Sequence, residues 1–163
     1  LRTIGAFRIE SADTKILELE KSISCGTETA TFKLQNVSNV GMTSLLKRFY
    51  RNIPGQICGR PITDLLYRIS VSFEGSPCMN TIIRWALSCL PLNHYQALGL
   101  LCLLLKSYSK HESINLMSTE SLAICWTPIL FDVDANIEQI SRITKILNLL
   151  IKNWDKFFFY PTK

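Results

Sequence analysis

The stretch 93-NHYQALGLLCLLLKSYSK-110 decides how the whole chain is to be read. Its centre, 97-ALGLLCLLL-105, is the longest apolar run in the sequence and ends at Lys106. A helix that spans a bilayer needs roughly 20 apolar residues, about twice that run, so no transmembrane segment is expected. Leu98, Leu101, Leu105 and Tyr108 recur at three and four residues, the spacing that lines one face of an α-helix. The stretch predicts a helix from Asn93 to about Lys110, buried among other helices.

The neighbouring segments carry the same period. In 76-SPCMNTIIRWALSCL-90, Ser76 is placed as an N-cap with Pro77 at the first helical position. Met79, Ile82, Ile83, Ala86, Leu87 and Leu90 form the apolar stripe, and Pro91 ends it. The longest candidate is 136-NIEQISRITKILNLLIKNWDKFFFY-160, with Ile137, Ile140, Ile143, Leu147, Leu150, Ile151, Trp154 and Phe158 on one face. Shorter helices are expected from Ser11 to about Ile23, from Ser38 or Asn39 to Arg51, from Pro61 to near Phe73, and over 119-TESLAICWTPILF-131 behind a Ser118 cap. The segment 25-CGTETATFKLQNVS-38 has no helical stripe and reads as a connecting loop. Nothing alternates with period two over more than a few residues, so the fold class is all-α, a single-domain helical bundle of about seven helices over residues 1–163.

Composition excludes several classes of protein. With 163 residues, 47% of them hydrophobic and 19% charged, the chain can bury a sizeable core and is neither a disordered tail nor a fibre. A net charge of +5 favours acidic partners, but clusters such as 47-KRFYR-51 are too short for a nucleic-acid arm, and no nucleic acid is expected as a partner. The cysteines at 25, 58, 78, 89, 102 and 125 include no C-x-x-C pair. The last three lie in apolar helical patterns, where free cysteine behaves as a small hydrophobe, so thiols in a reducing, cytoplasmic setting are expected. His94 and His111 have no cysteine at ligand spacing, which leaves no metal site to predict. No signal peptide is visible, and a start at Leu1 rather than Met suggests a segment of a longer chain.

Phosphate-loop, H-E-x-x-H and G-x-S-x-G motifs are all missing, so nothing points to an enzyme that binds its own nucleotide or metal. What remains are polar residues that a core does not require. Arg8 stands in 5-GAFRIESA-12, between an aromatic residue and a polar run that reads as a helix start. Lys47 and Arg51, one turn apart in 45-LLKRFYRNIP-54, are expected exposed on one helix face, opposite buried Leu46 and Phe49. Alone, that pair is a solvated face. Asn115 in 114-INLMS-118 directly precedes a helix cap, a place where asparagine commonly satisfies its own backbone.

Taken in order, five short motifs resemble the RhoGAP family, the GTPase-activating domains specific for Rho-type GTPases. They are 5-GAFR-8, 45-LLKRFYRNIP-54, 90-LPLN-93, 115-NLMSTESLA-123 and 128-PIL-130, with family-like separations across nearly the whole chain. The resemblance implies an all-α domain that stimulates GTP hydrolysis by a Rho-family small GTPase (Rho, Rac or a relative) in its GTP-bound state. Arg8 would be the arginine finger that stabilises charge on the transferred phosphoryl group. Lys47 and Arg51 fall on the basic positions that contact the GTPase and hold the finger loop, and Asn115 on an asparagine at the interface near the catalytic centre. Pro128 matches a late-helix proline that shapes the interface. No cofactor of its own is implied, since Mg and GTP are bound by the partner. Three features depart from the family: 9-IESAD-13 replaces a serine-glycine step after the finger, 53-IPGQI-57 replaces L-P-x-P-L, and the helix that usually precedes the finger loop is lacking. The alternative within the resemblance is a GAP-fold module that binds GTPases or other signalling proteins without accelerating hydrolysis.

Overall fold

The structure, a computed structural model, describes residues 3–5, 7–8, 16, 18, 20–21 and 37–158. Among these residues the regular elements are all helices: α1 (Asn39–Arg51), α2 (Arg60–Ser72), α3 (Met79–Ser88), α4 (Leu92–Ser109), the single turn α5 (Glu112–Asn115), α6 (Thr119–Leu130), α7 (Ile137–Lys152) and the short α8 (Trp154–Phe157). Ile16, Glu18, Glu20 and Lys21 are also helical, in the segment expected to be a helix, whereas the Ser11 cap and the loop over 25–36 lie outside the described residues.

Local chemistry explains most of the boundaries. Ser38 caps α1 by accepting from Gly41 N at 3.1 Å, and Ser118 caps α6 by accepting from Ser121 N at 3.0 Å. Asn136 Oδ1 takes the amides of Glu138 and Gln139 at the start of α7. Pro61 sits in the first turn of α2, where its missing N–H has no role to fill. One start was misjudged. Helix α3 begins at Met79 and not behind a Ser76 cap, because Ser76 Oγ faces Cys78 Sγ at 2.9 Å and its carbonyl closes a tight turn with Met79 N. Pro77 therefore belongs to that turn.

Helices α6 and α7 pack most extensively on each other, and α7 also packs on α2 and α4. Leu98, Leu101, Leu105 and Tyr108 of α4 are all buried, the stripe read from the sequence. They meet Leu122, Ala123, Trp126 and Leu130 of α6 and Ile143, Ile146, Leu147, Leu150 and Ile151 of α7 in one apolar core. A short parallel bridge joins Cys58 to Phe131, with Cys58 N donating to Leu130 O at 2.8 Å, and fixes the α1–α2 connection to the end of α6.

Two stripes differ from expectation. The long C-terminal helix stops at Lys152, with Asn153 as its cap, so the 136–160 stripe is broken between α7 and α8. Its first turns face outward: Ile137 is 83% exposed, while Gln139 is buried. The reason is polar. Gln139 Oε1 accepts from Asp134 N at 2.7 Å and its Nε2 donates to Asp64 Oδ1 at 3.3 Å, so an amide with both ends bonded takes the inward place. In α1 the inward residues are Gly41, Ser44, Lys47 and Tyr50, and Phe49 is 60% exposed. The expected division of that helix, with Lys47 outside and Phe49 inside, is therefore reversed. Tyr50 wins the inward place because its ring meets Trp126 edge-on at 5.6 Å and its hydroxyl donates to Ala97 O at 2.9 Å. Lys47, one turn before it, follows.

The described cysteines are all free thiols. Cys58 and Cys102 are buried, Cys125 is half-buried and Cys89 is exposed at the end of α3, so only Cys102 of the three expected core cysteines is fully inside. Burial pushes the Cys58 and Cys102 thiols well above their ordinary range. No helix among the described residues is long and apolar enough to cross a membrane.

Candidate functional site: an arginine on a clamped turn

Arg8 is exposed, at the end of a turn whose other parts are held tightly. The turn closes when Arg8 N donates to Gly5 O at 2.8 Å. Gly5 is buried with φ of 59°, a left-handed conformation that costs an L side chain roughly 1 kcal/mol and glycine almost nothing. That is why the glycine of 5-GAFR-8 stands three residues before the arginine.

Several elements clamp this turn. From the end of α5, Asn115 O accepts from Gly5 N at 3.0 Å. The Tyr108 hydroxyl of α4 donates to Thr3 O. At the start of α1, Asn39 Nδ2 donates to Thr3 Oγ1 at 3.0 Å. Phe7, 2% exposed, is wedged between Tyr108, whose ring it meets at 5.0 Å and 81°, and Trp126 of α6 at 5.7 Å. Phe7 thus goes into the core and its neighbour Arg8 goes out to solvent.

The other candidate residues are distributed around this arrangement. Asn115 is fully buried: its Nδ2 donates to Tyr108 O at 2.8 Å and its Oδ1 accepts from Met117 N at 2.9 Å. Its side chain brackets the left-handed Leu116, with φ of 56°, and its main-chain oxygen reaches Gly5. The backbone-satisfying turn role open to it in the sequence is present. Lys47 is 7% exposed on the inward face of α1, and Arg51 is exposed in the last turn of the same helix. Pro128 is exposed inside α6, two residues before its end. Its carbonyl accepts from Gln56 Nε2 at 3.2 Å. Gly55 and Gln56, both with positive φ, shape the 53-IPGQI-57 loop so that this bond can form.

Beside the turn lies a groove of about 620 Å³, lined by Phe7, Met42, Leu46, Phe49, Leu104 and Tyr108 among others. Arg48 and Asn52 bind the Glu20 carboxylate on its rim, at 3.0 Å each. The groove was not legible beforehand, because it exists only once α1 has turned Phe49 outward. Thr3, Asn39 and Tyr108 as holders of the turn were missed as well. Tyr108 alone left a trace, a phenol at the end of an otherwise aliphatic stripe.

The RhoGAP domain family model matches residues 1–135. Among curated proteins, the chain is 30% identical over 165 residues to human Rho GTPase-activating protein 20, covering 96% of this chain and 13% of that protein. It is 25% identical to Rho GTPase-activating protein gacN of Dictyostelium discoideum, over 92% of this chain and 25% of that one. It is also 25% identical to human N-chimaerin, over 97% of this chain and 36% of that one. The chain therefore spans only a minor part of these relatives. In fold it resembles human Rho GTPase activating protein 15, with a TM-score of 0.83 at 18% identity over 97% of this chain and 76% of that one. The BH domain of Graf, the GTPase regulator associated with focal adhesion kinase, gives a TM-score of 0.84 at 23% identity over 96% of this chain and 85% of that one. The match of the RhoGAP domain model over residues 1–135, most of the chain's length, makes the chain a member of the RhoGAP domain family.

Proposed function

We propose that this domain stimulates GTP hydrolysis by a Rho-family small GTPase, acting on the GTP-bound form and lending it Arg8. The observation that carries the reading is the contrast within one turn: Phe7 is anchored among Tyr108 and Trp126 while Arg8 is exposed beside it. A cation presented on a fixed backbone loses little conformational freedom when a partner closes over it. Its guanidinium can then span two oxygens of the transferring phosphoryl group, where charge develops in the transition state. GTP and Mg belong to the GTPase, and this chain contributes no cofactor.

The remaining residues have supporting parts in the proposal. Arg51, exposed at the end of α1, and the adjoining apolar groove meet the partner's surface. Lys47 and Asn115 are buried, so their roles are exerted through the set of α1 and of the finger turn rather than by first contact. Pro128 holds the α6 end of the surface through its bond from Gln56.

Single-turnover hydrolysis against a panel of Rho, Rac and related GTPases tests the reading. The parent domain should accelerate hydrolysis by at least one of them, and Arg8→Ala should lose about 10³-fold of that, some 4 kcal/mol of barrier, at unchanged melting temperature. Arg8→Lys should recover little, since an ammonium lacks the planar fork. An alanine variant as active as the parent would remove Arg8 from the mechanism. A parent domain that binds the GTP-bound GTPase without stimulating it would instead make the domain a non-catalytic binding module.

A further inference from the structure

We propose that Tyr108 is a positioning residue for Arg8, an inference that rests on the finger reading above. Tyr108 stands at the far end of α4 from its N-terminus, in the penultimate position of the helix, and is 4% exposed. It grips the turn from more than one side. Its hydroxyl donates to Thr3 O, ahead of the turn, and its ring meets Phe7, the residue before Arg8, edge-on at 5.0 Å. Its own carbonyl accepts from Asn115 Nδ2 at 2.8 Å, and Asn115 O accepts from Gly5 N at 3.0 Å, so the middle of the turn is reached through one intermediary. Thr3, Gly5 and Phe7 are thus all referred to one side chain and its peptide, and α4 beneath it is anchored by Leu98, Leu101 and Leu105 in the core.

The consequence is a division between holding the fold and aiming the arginine. Thr3 is half-buried, so its carbonyl can turn to water when the phenol is gone. The ring, the Phe7 contact and the Asn115 bond all survive in a phenylalanine. What is lost is the hydroxyl's bond to Thr3 O, ahead of the turn, and with it the angle at which Arg8 is presented. Misplacement of a catalytic group by about 1 Å can lower a rate 10²-fold without weakening binding.

The test compares parent, Tyr108→Phe, Arg8→Ala and the double variant in single-turnover hydrolysis with a GTPase that the parent stimulates, alongside affinity for the GTP-bound form. Tyr108→Phe should lower the saturated rate about 3- to 30-fold, leave the dissociation constant within about twofold, and have no effect when Arg8 is already alanine. Limited trypsin digestion followed by mass spectrometry gives a readout independent of activity: cleavage after Arg8 should be several-fold faster in Tyr108→Phe at unchanged melting temperature. Phe7→Leu should behave in the same direction in both assays. The proposal is overturned if Tyr108→Phe matches the parent in rate, if it slows hydrolysis equally with and without Arg8, or if rate and affinity fall together with the melting temperature. If the parent stimulates through Arg8 but ignores the phenol, only this inference fails; if no GTPase responds to the parent, the finger reading fails and takes it along.

Discussion

Replacing Asn115 by alanine removes a side chain with no exposure and both of its polar ends in use. The bond from Nδ2 to Tyr108 O is 2.8 Å long, and the bond from Met117 N to Oδ1 is 2.9 Å. Each such bond contributes about 1 kcal/mol net, and an orphaned buried donor costs about 1–3 kcal/mol. Tyr108 O keeps a second donor in His111 N at 3.1 Å, so the heavier loss falls on Met117 N. Leu116, left-handed at φ 56°, also loses the bracket that holds it there. We expect Asn115→Ala to lose about 2–4 kcal/mol, measured by urea unfolding with the slope unchanged. Asn115→Asp is the informative companion, since it keeps the acceptor for Met117 N but sets a buried carboxylate against Tyr108 O. Burial and the opposing oxygen should raise its pKa, so that variant should be weakest near neutral pH and recover as acid protonates it. Because Asn115 O also holds Gly5 N, trypsin cleavage after Arg8 should quicken in both variants. An Asn115→Ala domain within about 0.5 kcal/mol of the parent would refute the reasoning, and would mean that water replaces the amide at this site.

Phe49→Ser should change stability by no more than about 0.5 kcal/mol, since the ring is 60% exposed, and should weaken GTPase binding if the groove it lines meets the partner. A stability loss of several kcal/mol in chemical denaturation would instead place Phe49 in the core. Hydrogen bonds from Arg60 and Lys106 hold the Asp134 and Asp155 carboxyls below their ordinary value. With folded values depressed, their stabilisation is complete above about pH 4 and is lost as the pH falls through the folded values. The melting temperature should accordingly drop below about pH 4, less steeply in Asp134→Asn/Asp155→Asn; an unchanged acid slope in that variant would refute the assignment.

The fold was legible where the apolar period is unambiguous. The α4 stripe is three leucines closed by Tyr108 at strict helical spacing, and all four residues are buried. Helix α1 was misread because it carries apolar residues on two faces. Leu46 and Phe49 make one stripe, while the true inward row is the small pair Gly41 and Ser44 followed by Lys47 and Tyr50. Which face turns inward depends on Trp126, a residue more than seventy positions away, and no local pattern carries that information. Gln139 displaced Ile140 for a similar reason, since its value in the core depends on Asp64 and Asp134. At the site, the resemblance singled out Arg8, and the structure shows it exposed. The clamp could not, because Thr3, Asn39, Tyr108 and Asn115 meet only through tertiary structure.

The family pattern ends at residue 135, and α7 begins at Ile137. Yet α7 supplies Ile143, Ile146, Leu147, Leu150 and Ile151 to the core and lies against α2, α4 and α6. The stretch that the family model matches and the stretch that builds the core are therefore different lengths. An expression boundary drawn at residue 135 would uncover the faces of α2, α4 and α6 that α7 packs against and leave a sticky remnant. In this chain α7, beyond the residues the family model matches, backs α4 and α6, the two helices whose Tyr108 and Trp126 hold Phe7 beside Arg8.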